Sequence, residues 1–252
     1  MTQEQRWTEI EHLPAWDEEF YDIYTAKKFG KWVMIKTLKP QYRGNPQYEA
    51  MIEKEFDVRY NLAHPNIVMI NDFEDIPGIG RSIVCDDVYG DNLRKLINDG
   101  KVTEHHLEQL RHQLVNALEY IEHNHIVHPP LRPENIIFTE NIENLKLIDV
   151  GFEQRPSLSE QSISDDIYNY GKVLTEVLDS LGSNDATLRR VARKCTNPNP
   201  ARRYRDLQQL HLALEGRSSK TLVTVVTVFI ILMILLVLWL KSPYSPAPLT
   251  NA

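Results

Sequence analysis

Hydrophobic and polar residues alternate in two runs near the start of the chain, FYDIYTAKK and KWVMIKTL, which Phe29-Gly30 separates. Alternation with a period of two is typical of half-buried strands, and a glycine between two such runs is a turn signal. Two further strands are predicted at residues 67–72 and 82–85, separated by the turn residues PGIG at 77–80. Between the two pairs of strands, apolar residues at helical spacing predict a helix over residues 47–62, which ends before Pro65 because proline disfavours helical geometry in the preceding residue.

Helical periodicity dominates the rest of the chain. Thr103 is a predicted N-cap for a long helix whose leucines recur at steps of three and four. The same pattern predicts helices over residues 166–181, 186–194 and 207–214. A strand-rich first third followed by a helix-rich remainder predicts an α+β fold with two lobes.

Composition narrows the functional classes. A hydrophobic content of 42% and a charged content of 25% are ordinary for a globular protein. The net charge of −7 argues against nucleic acid as the main partner. The two cysteines, Cys85 and Cys195, have neither metal-ligand spacing nor a disulfide framework, which indicates a reducing compartment.

Residues 221–240 contain no charged side chain. At about 1.5 Å per residue, this segment would span about 30 Å as a helix, the hydrocarbon thickness of a bilayer. A buried core helix is the alternative, which the length disfavours. The charged N-terminus indicates no signal peptide, and basic residues lie mainly before the apolar segment. We therefore predict a tail-anchored, single-pass membrane protein with residues 1–220 cytoplasmic and a plain anchor, because the segment has no Gly-x-x-x-Gly pattern.

One stretch gives the chain a family resemblance: HPPLRPENI at residues 128–136, followed by LIDVG at residues 147–151. It resembles the catalytic loop and the metal-binding loop of eukaryotic-type Ser/Thr protein kinases, H-R-D-L-K-P-E-N and D-F-G. Four more segments resemble that family in the same order: VMIK at 33–36, HPNIV at 64–68, DIYNYG at 166–171 and PARRY at 200–204. The resemblance covers residues 13–215.

The resemblance implies a two-lobed kinase-like fold, with a small strand-rich N-lobe and a larger helical C-lobe, to which the transmembrane helix is added. We therefore divide the chain into an N-terminal extension (1–12), the N-lobe (13–87), the C-lobe (88–215), a basic linker (216–220), the transmembrane helix (221–240) and a short tail outside (241–252).

The resemblance also implies roles for particular residues. Lys36 stands where the family holds nucleotide phosphates, and Glu55 where it pairs with that lysine. Three hinge residues stand beside the nucleotide: Cys85 at the gatekeeper position, Asp86 and Val88. Asn135 and Asp149 stand where the family holds two magnesium ions. Whether ATP still binds with Mg²⁺ or Mn²⁺, or Asn135 simply pins its own loop, stays open.

The catalytic loop departs from the family at its most important position. Pro130 replaces the catalytic aspartate, and proline has neither a side-chain base nor a backbone N–H. Loss of a general base typically lowers the rate by roughly 10²–10⁴. His128 and Arg132, the latter in place of a lysine, are remnants of that loop, so no catalytic residue is expected.

The phosphate-binding loop and the segment that presents a peptide substrate differ from the family pattern as well. The glycine positions of the loop read Trp16, Glu18 and Tyr21, and a glutamate there repels the nucleotide's charge. Met34 replaces the alanine that packs on the adenine ring. The segment after Gly151 is short and has no A-P-E string, which leaves Arg203 without its usual partner.

These departures favour a membrane-tethered pseudokinase that acts as a scaffold or allosteric module at the cytoplasmic face. Two alternatives remain: an atypical Ser/Thr kinase with residual ATP-dependent activity, and a nucleotide-binding switch without catalysis. The sequence does not name a protein partner.

Overall fold

The computed structural model describes residues 6–140, 144–216 and 219–240. The chain divides into two compact units, residues 1–211 and residues 212–252. The first unit contains a strand-rich N-terminal lobe and a helical C-terminal lobe. The predicted two-lobed α+β fold is confirmed.

The N-lobe is built on a five-stranded antiparallel sheet in the order β1-β2-β3-β5-β4. The two predicted strands before residue 38 form the β2–β3 hairpin, and its turn residues Phe29 and Gly30 both have positive φ angles, 54° and 81°. Two consecutive positive φ angles match the twist of a two-residue hairpin, which explains the glycine. The strands are β1 Trp7–His12, β2 Tyr21–Lys28, β3 Lys31–Leu38, β4 Ile70–Ile76 and β5 Gly80–Asp86.

Strand β1 was not predicted, and it lies within the segment assigned to an N-terminal extension. It pairs with β2 at the edge of the sheet, and of its side chains only Trp7 is buried. An edge strand with one buried residue carries no alternating pattern, which is why the sequence did not indicate it.

Helix α1, Pro46–Arg59, lies between β3 and β4. The side chain of Asn45 caps it by accepting a hydrogen bond from the Gln47 N–H, and Pro46 occupies the first turn, where no N–H is needed. The helix ends three residues before the predicted boundary. It buries Ile52, Glu55 and Arg59.

The C-lobe contains most of the helices. Thr103 caps the first long one as predicted, since its oxygen accepts a hydrogen bond from the His106 N–H. The helix beginning at Glu160 starts six residues before its predicted boundary. The helical segments are α2 Leu93–Asn98, α3 Glu104–Gln109, a π-helical stretch Leu110–Leu114, α4 Val115–His123, α5 Glu160–Ser180, α6 Ala186–Cys195 and α7 Leu207–Leu214.

The C-lobe also contains short strands, of which β6 lines the cleft. β6 (Gly90–Asn92), β8 (Ile136–Thr139) and β9 (Leu145–Leu147) form a three-stranded sheet, and β7 (Ile126–Val127) pairs with β10 (Glu153–Gln154).

Close packing of α5 against α6 depends on a glycine. A Cβ atom at Gly171 would lie 2.4 Å from the Cβ of Cys195, far inside any real contact. Tyr170, beside it, is fully buried and donates its hydroxyl to the Leu110 carbonyl at 3.3 Å. This part of the core therefore allows little change in side-chain volume.

A buried asparagine joins the lobes. The Nδ2 group of Asn66 donates to the Leu145 carbonyl at 2.9 Å and to Gln113 Oε1 at 3.0 Å, and Val68 N–H donates to the Leu147 carbonyl. The loop after α1 is thereby fixed to β9 of the C-lobe.

The second unit contains helix α8, Ser219–Leu240, whose side chains are described over residues 227–238 and are all exposed there. Among the residues that the structure describes, no helix is both long and apolar enough to cross a membrane. The transmembrane helix at 221–240 stays a prediction, and the tail 241–252 lies outside the described residues.

Candidate functional site

A buried ion network occupies the N-lobe side of the cleft. Lys36 on β3 and Glu55 on α1 are 2.9 Å apart, Nζ to Oε1. The same carboxylate oxygen accepts from Arg59 Nη1 at 2.7 Å, one helical turn further along α1. Arg59 also donates through Nη2 to the Ile148 carbonyl at 3.3 Å. The predicted Lys36–Glu55 ion pair forms, and Arg59 extends it to the residue before Asp149.

The three groups keep one another charged despite their burial. Burial favours the neutral form of each, but the carboxylates of Glu55 and Glu18 outweigh it and raise the pKa of Lys36. Lys36 and Arg59 lower the pKa of Glu55 despite the opposing effect of burial. Glu55 raises the pKa of Arg59 in the same way. Glu55 is 1% exposed, so solvent screens these interactions very little.

A second carboxylate reaches Lys36 from the loop between β1 and β2. Glu18 Oε2 lies 2.7 Å from Lys36 Nζ, closer than Glu55, and the Glu18 side chain is 45% exposed. The Lys36 ammonium also lies 4.1 Å above the ring of Tyr21. The amine that would hold a nucleotide's phosphate therefore contacts two carboxylates and an aromatic face of its own chain.

The loop that carries Glu18 is ordered by its own contacts. Pro14–Trp16 forms a 3₁₀ turn, and Asp17 Oδ1 accepts the Ile23 N–H at 3.0 Å. The Phe20 ring packs against the rings of Tyr42 and Tyr48, with a centroid distance of 5.4 Å to each. The loop is thus anchored both to β2 and to the start of α1.

Below this network lies a cleft of about 1060 Å³ between the lobes. Its walls include Trp16, Trp32, Met34, Val88 and Tyr89. Its lining contains one lysine, Lys95, whose ammonium lies 2.5 Å from Asp91. The acidic residues of the lining are Asp17, Glu18, Asp87, Asp91, Glu134 and Asp149. Such a wall opposes a polyanionic ligand unless a cation accompanies it.

The predicted hinge residues divide between the cleft and its surroundings. Val88 lines the cleft, whereas Cys85 is buried behind it beside a cavity of about 60 Å³. Burial raises the pKa of Cys85 to about 11, so the thiol is neutral at pH 7. Asp86 directs its carboxylate to Asn71, 2.9 Å away. Its neighbour Asp87, which was not singled out from the sequence, lines the cleft instead.

The two predicted metal-binding residues lie together at the floor of the cleft. Asn135 Nδ2 is 3.4 Å from Asp149 Oδ2, and Ile148 N–H donates to the Asn135 carbonyl. The amide nitrogen makes this contact; the amide oxygen of Asn135 and the Asp149 carboxylate are ligands of the kind that a hard divalent cation such as Mg²⁺ or Mn²⁺ prefers.

The catalytic loop contains no acid or base at the position that needs one. Pro130 and Arg132 are exposed. His128 is buried with Nδ1 4.0 Å from Asp166 Oδ1, and burial lowers its pKa to about 4, so it is neutral at pH 7. Neutral, buried His128 acts as a packing residue of this loop.

The segment after Asp149 is short because α5 begins at Glu160. Gly151 starts it with a φ of 72°, and a Cβ there would lie 2.4 Å from the Val127 carbonyl oxygen. Arg203, expected to lack the family's usual partner, donates from Nη1 to the Ser164 carbonyl at 3.0 Å and to Ser164 Oγ at 3.1 Å. Ser164 on α5 is therefore a partner of the guanidinium in this chain.

Comparison with known proteins decides the family. The model of the protein kinase domain matches residues 20–168, more than half of the chain. The chain belongs to the protein kinase family. The kinase domain of PknI from Mycobacterium tuberculosis superposes on this chain with a TM-score of 0.62 at 18% identity, over 84% of this chain and 96% of that one, which shows a shared fold.

This chain matches only part of the length of its curated relatives in the kinase family. Serine/threonine-protein kinase 36 of Pongo abelii is 30% identical over 140 residues, which cover 55% of this chain and 10% of that protein. PknD of Mycobacterium tuberculosis is 28% identical over 156 residues, 60% of this chain and 23% of PknD. A calcium/calmodulin-dependent protein kinase of Metarhizium anisopliae is 26% identical over 155 residues, 61% of this chain and 40% of that kinase. The chain therefore spans at most 40% of the length of these three relatives.

Proposed function

We propose that this member of the kinase family is a noncatalytic interaction module held at a membrane, with residues 1–220 on the cytoplasmic side. The observation that carries the proposal is Pro130 in an otherwise assembled site. Lys36 is paired with Glu55, and Asn135 lies beside Asp149, yet the position of the base is occupied by a residue that accepts no proton.

The short segment after Gly151 supports the same conclusion. It passes from β10 at Gln154 to the start of α5 at Glu160 within a few residues. So short a connection leaves little chain with which to present a peptide hydroxyl to the cleft, and phosphoryl transfer depends on that positioning.

A phosphotransfer assay tests the proposal. The 252-residue chain, purified in mild detergent, is incubated with radiolabelled ATP, a generic basic protein substrate, and either Mg²⁺ or Mn²⁺. The control is Asp149→Asn, which removes a carboxylate that a metal-dependent reaction needs. We expect equal, background incorporation for both proteins; incorporation that is lost in Asp149→Asn would replace the proposal with an atypical Ser/Thr kinase.

A nucleotide-binding switch without catalysis is the second candidate, favoured by the 3.4 Å approach of Asn135 to Asp149. A ligand that binds only the folded state raises the melting temperature. A rise with ATP that requires Mg²⁺ or Mn²⁺ and disappears in Asp149→Asn, without phosphotransfer, would support this switch.

Membrane attachment rests on the uncharged segment 221–240 and on the exposed apolar side chains of α8, such as Leu232 and Leu235. The test is alkaline carbonate extraction of membranes containing the chain. We expect the chain to stay in the pellet and a Leu232→Lys/Leu235→Lys variant to be released, because charges at the centre of a span are unfavourable by about 2.5–3.5 kcal/mol each. Release of the unmutated chain would refute the attachment.

A further inference from the structure

The Lys36 ammonium is held by an acidic residue that belongs to the phosphate-binding loop itself. Glu18 Oε2 approaches Lys36 Nζ to 2.7 Å, while Glu55 Oε1 on α1 approaches it to 2.9 Å. Glu55 is buried, whereas Glu18 enters from the solvent side of the cleft with 45% of its side chain exposed. A phosphate group entering the cleft would reach Lys36 from the side that Glu18 occupies.

The same loop fills the apolar part of the site. Trp16 packs against the buried cluster that contains Ile23, Val88 and Ile137, alongside Met34. That cluster joins β2, the hinge and β8, so it includes both the upper and the lower side of the cleft. The indole is a flat aromatic group, and it lies against the aliphatic surface with which a nucleobase would make contact.

The loop is built to hold this position. Asp17, between Trp16 and Glu18, fixes the backbone by accepting the Ile23 N–H, and Phe20 packs against two tyrosines. Glu18 N–H donates to the Tyr21 carbonyl at 3.0 Å, which closes the turn.

We propose that residues 14–20 are an internal ligand of the nucleotide site, with the Glu18 carboxylate in the place of a phosphate and the Trp16 indole in the place of a base. A nucleotide or polyphosphate then binds only by displacing this segment. The inference rests on the proposed function, because a site closed by its own chain is compatible with a module that does not turn over ATP.

The test is a pair of matched variants in the full chain. Glu18→Gln removes the charge that contacts Lys36, and Glu19→Gln removes the same charge from the adjacent, exposed residue, whose side chain makes no bond to Lys36. Affinities for Mg²⁺-ATP and for inorganic pyrophosphate are measured by calorimetry, after equal melting temperatures have shown that both variants fold.

We expect Glu18→Gln to bind both ligands about tenfold more tightly than the unmutated chain, as for the loss of one competing charged hydrogen bond. Glu19→Gln should change either affinity by less than about twofold, as for an unpaired surface charge. Equal affinities for Glu18→Gln and Glu19→Gln, including no binding by either, would overturn the inference.

Two further readouts separate the parts of the inference. Trp16→Ala should increase the affinity for both ligands, because both must displace the segment that the indole anchors. The gain should be larger for ATP, since only ATP has a base, and an equal gain for both ligands would refute the indole as a substitute for the base. Saturating pyrophosphate should increase backbone hydrogen exchange in residues 14–20, and unchanged exchange there would refute displacement. Phosphotransfer by Glu18→Gln would disprove the noncatalytic function while leaving the internal ligand standing.

Discussion

Glu55 is the residue on which the ion network depends, and its removal gives the sharpest stability prediction. The single oxygen Oε1 accepts hydrogen bonds from both Lys36 and Arg59, at 2.9 and 2.7 Å. Glu55→Gln keeps the size of the side chain but removes the negative charge between two buried cations. Lys36 would keep Glu18, whereas Arg59 would keep only the carbonyl of Ile148.

The expected effect is large because all three groups are buried. Glu55, Arg59 and Lys36 are 1%, 5% and 9% exposed. Removing one partner of a buried ion pair typically destabilises a protein by about 3–5 kcal/mol. At about 2–4 °C per kcal/mol for a unit of this size, the melting temperature should fall by roughly 6–20 °C.

The assay is thermal unfolding followed by circular dichroism, and the matched control is Glu53→Gln. Glu53 lies on the same helix two residues earlier, has 45% of its side chain exposed, and pairs with Arg81. A surface ion pair contributes about 0–1 kcal/mol to the free energy of unfolding, so the melting temperature of Glu53→Gln should fall by no more than about 4 °C. A decrease for Glu55→Gln no larger than that for Glu53→Gln would refute the network as a main source of stability.

Three further predictions follow from the site and its supports. The difference in unfolding free energy between the unmutated chain and Glu55→Gln should be complete at neutral pH and should shrink as the pH falls through the lowered pKa of Glu55. The reason is that a carboxylate with a depressed pKa stabilises the fold only while it is ionised. A difference that instead grows in acid would contradict this prediction. Gly151→Ala should lower the free energy of unfolding by about 2–5 kcal/mol, because alanine would adopt a left-handed backbone there and would also clash with the Val127 carbonyl. Gly182 is left-handed too but lies in open space, so Gly182→Ala should lower the free energy of unfolding by only about 1–2 kcal/mol. Urea titration measures both values, and equal losses would show that the clash does not contribute. Arg203→Lys should lower the free energy of unfolding by about 1–3 kcal/mol in the same titration, because lysine keeps the charge but not the forked guanidinium that binds Ser164 and the Asn197 carbonyl. An unchanged unfolding midpoint would show that those hydrogen bonds do not stabilise the fold.

Much of the fold could be predicted from local patterns. The β2–β3 hairpin has alternating apolar and polar residues over much of its length and a glycine turn, and the helix at 207–214 has the predicted boundaries. Strand β1 could not be predicted, because only Trp7 of its side chains is buried and its position depends on pairing with β2. A periodic pattern of apolar residues arises where one face of an element is buried, and an edge strand buries few of its side chains.

The site was predictable in its residues but not in its contacts. Lys36, Glu55, Asn135 and Asp149 were found from motif spacing, and the structure brings each pair together. Arg59 was missed, although its position four residues after Glu55 on a helix was an available signal. Glu18 was predicted to repel a nucleotide, but its bond to Lys36 depends on a loop shape set by distant aromatic packing, which no local pattern encodes.

The bond from Arg59 to the Ile148 carbonyl gives the surface of α1 a particular mechanical character. The helix is attached to β3 through Glu55 and to the chain just before Asp149 through Arg59, so it cannot swing outward without breaking a charged contact on each side. A protein that docks on this helix would meet a shape that exists before contact, and it would lose little entropy in ordering that surface. Recognition of that kind depends on the complementarity of two preformed surfaces, and it needs no nucleotide to prepare one of them.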